Sequence, residues 1–209
     1  MATRNIKNVV FDFGNVLIAW DVKSLYVKIF NGDEQKASWF LSNICTLEWN
    51  RQLDEGVTFD DAIAQLLGKW PEYEEEIKAY KTRWHETIVG EISPSVNVLK
   101  NLKNKGYPLY GLTNWSHETI GYAKNRFPFL NLLDGIVVSG EEKVSKPDNE
   151  IFEILLKRYQ LNPNETLFID DNGDNIKTAD KLGFDTIWFQ NSDQLETEIV
   201  TRNLFKKKF

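Results

Sequence analysis

Between residues 93 and 190 the chain alternates short apolar runs with amphipathic stretches, and this alternation limits its possible folds more than any other feature. Five runs read as buried strands: 9–13, 109–113, 136–139, 167–170 and 186–189, each ending near Gly, Asn, Asp or Ser. Helices fill the later intervals. Ser93 as N-cap and Pro94 in the first turn open one that carries Val96, Leu99 and Leu102 on one face and ends at Gly106. Residues 149–159 place Ile151, Ile154, Leu155 and Arg158 at helical spacing, and residues 174–182 do the same with Ile176, Ala179 and Leu182 before Gly183. The pattern predicts an α/β fold: a Rossmann-like, mostly parallel sheet flanked by helices, with ligands bound beyond the carboxyl ends of the strands.

One interval breaks the pattern. Residues 19–92 contain helical stretches but no convincing strand, and they read as a small all-helical domain inserted after strand one. The core then comprises residues 1–18 and 93–209. Thr58 and Asp61 are spaced for a capping box, and Trp39, Trp49, Trp70 and Trp84 read mostly as the core of the insertion.

Composition excludes several classes. A chain of 209 residues buries about 70% of its unfolded surface without staples. Its single cysteine, Cys45, allows neither an internal disulfide nor a thiolate-rich zinc site. No signal-peptide core and no membrane-length apolar run is present, so a cytoplasmic protein is expected. The net charge of −6 offers no footprint for nucleic acid, and the basic cluster Lys206 to Lys208 reads as a solvated end.

The common catalytic signatures GxSxG, GxGxxG, GxxxxGK[ST] and HExxH are absent, and His85 and His117 stand apart from any nucleophile. What remains is acidic and lies at strand ends. Strand one runs into Asp12-Phe13-Gly14-Asn15, and the fourth strand runs into Asp170-Asp171-Asn172-Gly173-Asp174. In a parallel sheet both clusters face one crevice, where carboxylates repel unless a cation or protons offset them. Oxygen-only ligands favour magnesium. Thr113 and Asn114 end strand two, ahead of a helix expected to start near Ser116 with free N–H groups. Lys146 precedes Pro147, which is expected to open the next helix. Asp12, Asp170 and Asp171 against Lys146 leave two negative charges, which a divalent ion would cancel, so that a phosphate dianion is tolerated.

Taken in order, these segments resemble the haloacid dehalogenase-like hydrolases, most of which are phosphatases. VVFDFGNVL is similar to the family's first motif with Asp12 in the nucleophile position, LYGLTNWS to the second through Thr113, VSKPD to the third through Lys146, and LFIDDNGDN to the fourth through Asp170 and Asp171. The DFGNV wording is similar to bacterial glucose-1-phosphate phosphatases. The resemblance implies a magnesium-dependent phosphatase that hydrolyses a small phosphomonoester, such as a sugar phosphate, through an aspartyl-phosphate on Asp12, with residues 19–92 as its cap. It implies magnesium held by Asp12, the Gly14 carbonyl and Asp171 with Asp170 in support, and phosphate held by Thr113, Asn114 and Lys146. Most phosphatases of this family carry a second aspartate two residues after the nucleophile as acid and base, and here that position is Gly14. Asn15, Trp20 and Asp21 follow the motif and are within sequence reach of the crevice, while Glu48, Arg51, His85 and Trp115 are the candidates for specificity. Two rivals are a metal-free 2-haloacid dehalogenase, which Asp170 and Asp171 oppose, and a binding module that has lost turnover. Lys146→Ala is expected to lower activity at equal stability.

Overall fold

A computed structural model describes residues 5–205, so the Lys206 to Lys208 cluster lies outside the described residues. In chain order the elements are β1 (Asn8–Phe11), β2 (Ile18–Trp20), α1 (Val22–Ile29), α2 (Glu34–Asn43), α3 (Leu47–Asp54), α4 (Phe59–Leu67), α5 (Glu74–Thr82), β3 (Ile88–Glu91), α6 (Ser93–Asn104), β4 (Leu109–Thr113), α7 (Ile120–Arg126), β5 (Gly135–Val138), α8 (Ser139–Glu142), α9 (Asn149–Tyr159), β6 (Thr166–Asp170), α10 (Gly173–Lys181), β7 (Asp185–Trp188) and α11 (Ser192–Thr201). Five strands form one parallel sheet in the order β5-β4-β1-β6-β7, the Rossmann-like α/β architecture that the alternation predicts.

The chain winds from β1 outward through β4 to β5, then returns to the other side of β1 for β6 and β7. The crevice therefore opens beyond the end of β1, where the winding reverses direction. Alternate side chains of the sheet feed two cores. Val9, Phe11, Leu109 and Ile169 pack on one face with Val96, Leu99 and Leu102 of α6 and Leu195 and Ile199 of α11. Val10, Leu112 and Phe168 pack on the other with Ile151, Phe152 and Leu155 of α9 and Ile176 and Ala179 of α10. The period-2 pleat sorts consecutive residues to opposite helical layers.

A third core is built from residues 25–80 alone, on α1 to α5. It is rich in rings: Tyr26 stacks on Phe40 with centroids 4.7 Å apart, and Trp49 meets Tyr80 edge-on at 4.8 Å. Cys45 is buried within it as a free thiol. The Trp49 indole donates to the Ala62 carbonyl at 3.1 Å, so even this buried polar atom is paired. Thr58 caps α4 as the capping-box spacing requires, accepting from the Asp61 N–H at 3.1 Å. Trp39 departs from expectation. It is 41% exposed and sits edge-on against Trp70 at the surface.

Several local expectations shift. The insertion is not purely helical: β2 and β3 pair antiparallel into a two-stranded ribbon through which the chain leaves and re-enters the core, and the expected boundary between residues 18 and 19 runs through β2. Ser93 does not cap α6. Ile92 holds the N-cap position, and the Ser93 hydroxyl donates to Glu91 at 3.0 Å instead. Phe152, rather than Ile154, is the buried partner of Ile151 on α9. No helix begins at Ser116, because residues 114–119 form a loop and α7 starts at Ile120, with the Ser116 carbonyl accepting from the Ile120 N–H at 3.1 Å. Pro147 does not open α9 either; it follows a cis peptide bond, and Asp148 is the N-cap. Among the described residues no helix is long and apolar enough to cross a membrane.

Candidate active site

The register of the sheet brings the strand-end acids together. Phe11 lies opposite Ile169 of β6, and the ladder runs one step further, with the Asp12 N–H donating to the Ile169 carbonyl at 2.9 Å. Asp12 and Asp170 therefore leave adjacent strands at one level, and Asp171 follows in the next peptide. One carboxylate oxygen from each of Asp12, Asp170 and Asp171 falls within 4.8 Å of the others.

Lys146 enters this cluster from the loop after α8. It is 3% exposed, and its ammonium donates to the Leu112 carbonyl at 2.8 Å and to Asp170 Oδ2 at 2.7 Å, with Asp12 Oδ1 at 2.9 Å. Three acceptors match the three N–H bonds of an ammonium. Burial works against that charge, but Asp12 and Asp170 outweigh it and the Lys146 pKa is raised. For Asp12, burial dominates and lifts its pKa to about 7, with Lys146 opposing and Asp170 and Asp171 adding to the rise. Asp171 is exposed, and desolvation together with Asp170 still raises its pKa. The carboxylates outnumber the cation that holds them. A set of oxygen donors with excess negative charge fits a divalent metal ion.

Asp170 and Asn114 serve the cluster in ways the sequence did not reveal. Asp170 is fully buried, and its two oxygens take bonds from Lys146, the Asn172 N–H at 2.8 Å and the Asn175 amide at 3.0 Å. Its first task is to hold the lysine and the following loop. The Asn114 side chain clasps the Lys146 peptide from both sides, accepting from its N–H and donating to its carbonyl, each at 2.9 Å. It thereby positions Lys146. Thr113 is different, since its hydroxyl is fully buried and has no hydrogen-bond partner among the described residues. Such an atom at a strand end asks for a ligand.

Asn15, at φ 53°, turns the chain back toward β2, and its side chain accepts from the Trp20 N–H at 3.2 Å. Asn tolerates that left-handed conformation. Gly14 is half-buried and lines a cavity of about 110 Å³ between the sheet edge and the helical insertion. Trp20, Trp84 and Trp115 form its aromatic side, the latter two edge-on at 5.7 Å. Of the specificity candidates only Trp115 lines this cavity. Arg51 pairs with Asp148 at 2.9 Å, His85 packs near Tyr122, and Glu48 is exposed. Asp21 caps α1 by accepting from the Ser24 N–H at 3.0 Å. Three contributors escaped the sequence reading. Asn175, in the first turn of α10, donates to Asp170 at the end of β6, five residues before it; Asp54 and its partner Asn50, on α3, had no local signal.

The family's sequence profile, described as haloacid dehalogenase-like hydrolase, matches residues 9–189. The chain belongs to the haloacid dehalogenase-like hydrolases. A D-ribitol-5-phosphate phosphatase from Bacteroides thetaiotaomicron is 27% identical over 204 residues, covering 93% of this chain and 97% of that protein. A sesquiterpene phosphatase from Aspergillus oryzae is 28% identical over 202 residues, covering 95% and 96% respectively. A crystal structure of a family enzyme from Bacteroides thetaiotaomicron with magnesium and inorganic phosphate aligns with a TM-score of 0.67 and 28% identity over 89% of this chain and 95% of that one. This haloacid dehalogenase-like hydrolase is thus a phosphatase-type member with an acid cluster suited to a divalent ion.

Proposed function

We propose that the protein hydrolyses a small phosphomonoester, a sugar or polyol phosphate, through an aspartyl-phosphate on Asp12. The observation that carries this reading is the convergence of Asp12, Asp170 and Asp171 within 4.8 Å around a single ammonium, that of Lys146. Magnesium would be held there by Asp12, Asp171 and the Gly14 carbonyl, and it would supply the positive charge that lets a phosphate dianion approach an ionised nucleophile. Asp12, paired with the Lys146 ammonium at 2.9 Å, attacks phosphorus as its carboxylate, which needs no separate base. Thr113 and Lys146 take up charge on the transferring group. Residues 19–92 act as the cap over the core of residues 1–18 and 93–209, and their aromatic wall shields the reaction from water. A polyol or sugar leaving group is supported by the likeness to the ribitol-phosphate enzyme and by the small cavity. The acidic cluster weighs against the dehalogenase alternative, since its carboxylate substrate would be repelled.

The test is a substrate panel of p-nitrophenyl phosphate and sugar and polyol phosphates, with and without Mg2+, run beside chloride release from 2-chloropropionate. Phosphate release that requires the ion and is lost in Asp12→Asn supports the reading. Chloride release without metal overturns it, as does full activity of Asp12→Asn.

A further inference from the structure

The first motif leaves the reaction without an acid, because Gly14 occupies the position where phosphatases of this family carry one. A carboxyl reaches the same cavity from the cap. Asp54, the last residue of α3, is the one ionisable side chain among the described residues that line it, and Gly14 lies on the same cavity wall set. Its orientation is built rather than accidental. The buried Tyr80 hydroxyl donates to Asn50 Oδ1 at 2.6 Å, which obliges the Asn50 amide nitrogen to point onward, and that nitrogen donates to Asp54 Oδ2 at 3.0 Å. Burial keeps the Tyr80 phenol protonated by raising its pKa well above the ordinary value, so the relay has one direction. Among the described residues no second hydrogen bond holds the other carboxyl oxygen.

The element that carries Asp54 is seated on the core. Arg51 pairs with Asp148 at 2.9 Å and the Ser145 hydroxyl donates to Glu55, the C-cap of α3, at 2.8 Å, while at the start of the next helix the Phe59 N–H donates to Glu118 at 2.6 Å. Burial first, then the negative charges of Asp12 and Glu55, with Lys146 opposing, lift the Asp54 pKa to about 7. Burial, the largest of these causes, favours the neutral carboxyl, the form that can give a proton.

The geometry points to Asp54 as the general acid and base of this enzyme, delivered by the cap in place of the aspartate missing at Gly14; this rests on the phosphatase reading above. In the first step an Asp12 oxygen bonds to phosphorus, the ester P–O bond breaks, and the Asp54 proton passes to the departing oxygen to give the free alcohol. In the second step Asp54, now a carboxylate, takes a proton from water as the water oxygen bonds to phosphorus. The P–O bond to Asp12 breaks, returning the Asp12 carboxylate, inorganic phosphate and protonated Asp54. The net change is ester plus water to alcohol plus phosphate. Because the acid belongs to the cap, chemistry requires the closed arrangement.

The test uses the full chain with Mg2+ and compares phenyl phosphate, whose leaving group has a pKa of about 10 like tyrosine, with p-nitrophenyl phosphate, whose leaving group is far more acidic and needs no acid. Asp54→Asn should lower kcat/KM for phenyl phosphate by about 100-fold and barely change it for p-nitrophenyl phosphate. With the latter, a burst of one nitrophenol per enzyme should precede slow turnover, because the phosphorylated Asp12 awaits a base. Asp54→Glu should recover part of the loss. So should Gly14→Asp in the Asp54→Asn background, since a Cβ at Gly14 meets nothing within 4 Å. Asn50→Ala, which removes the orienting amide and with it the acceptor of the Tyr80 hydroxyl, should move the substrate ratio in the same direction by a smaller factor, giving a second reading if Asp54→Asn misfolds. Equal losses on both substrates without a burst, or no loss at all, overturn the assignment while leaving the phosphatase reading intact. A wild-type protein inactive on both overturns the two together.

Discussion

The Lys146 ammonium has three buried partners, the Leu112 carbonyl, Asp12 and Asp170, and its replacement tests the site at the scale of one residue. Lys146→Ala was expected from the sequence to lower activity at equal stability, but its ammonium lies between two buried carboxylates, those of Asp12 and Asp170. Removing it strands charge in the interior, which costs about 3–5 kcal/mol. Urea denaturation at pH 8 should show that loss, and it should be smaller at pH 5, where Asp12 with its pKa near 7 is protonated. Asp12→Asn should behave oppositely, with phosphate release gone and stability kept or raised, because an unfavourable buried charge disappears. The strand-end residues Asp12, Thr113, Asp170 and Asp171 were legible because a buried run that ends in a polar side chain must present that side chain at the sheet edge. Asn114 was legible as a strand-end polar residue, but its hold on Lys146 was not. Its bonds to the Lys146 peptide join residues 32 apart in the chain, and no local pattern encodes them.

Among elements, α3 bears most on function, because it is both the cap's contact with the core and the carrier of Asp54. Its seat depends on Gly56, just beyond its end, where φ is +91° and a Cβ would lie 3.0 Å from the Gly140 carbonyl oxygen. Gly56→Ala combines left-handed backbone with that close approach, and a cost of about 1–3 kcal/mol is expected. A thermal melt should show it, and KM should rise as the cap seats less well. Arg51→Ala should act otherwise. The Arg51 pairs with Glu55 and Asp148 are half exposed and worth under about 1 kcal/mol, so stability should hardly change while KM increases. Helices α9 and α10 were readable because their apolar stripes repeat at 3.6 and their ends carry stop signals. The ribbon of β2 and β3 was not, since strands of three and four residues far apart in sequence show no alternation of their own. The late start of α7 was missed for a related reason: the Ser139 hydroxyl and the Gly140 N–H, distant in sequence, hold the Trp115 backbone in a loop, at 3.0 Å to its N–H and 3.1 Å to its carbonyl.

For the molecule as a whole, the site should leave a signature in stability against pH. Asp12 and Asp54 have folded pKa values near 7, above the unfolded value of about 3.9. The native state then holds more protons than the unfolded one across that window, so stability falls as pH rises from about 4 to about 7. Each kcal/mol lost corresponds to roughly 2–4 °C in Tm for a chain of this size. Melts of metal-free protein should therefore be lower at pH 8 than at pH 5, and Mg2+ at pH 8 should restore the difference through binding to the native state. Identical melts at both pH values with no response to the ion would remove the acid cluster as a metal site. The sequence alone determined the parallel α/β sheet, the polar strand ends and their order, because periodicity and strand-end chemistry are local properties that survive in one dimension. Only the tertiary structure decided that Asp54 of α3 lines the same cavity as Gly14, that Asn114 clasps the Lys146 peptide and that a ribbon joins the insertion to the core. Each of these joins segments distant in the chain, so tertiary packing rather than local periodicity fixes it.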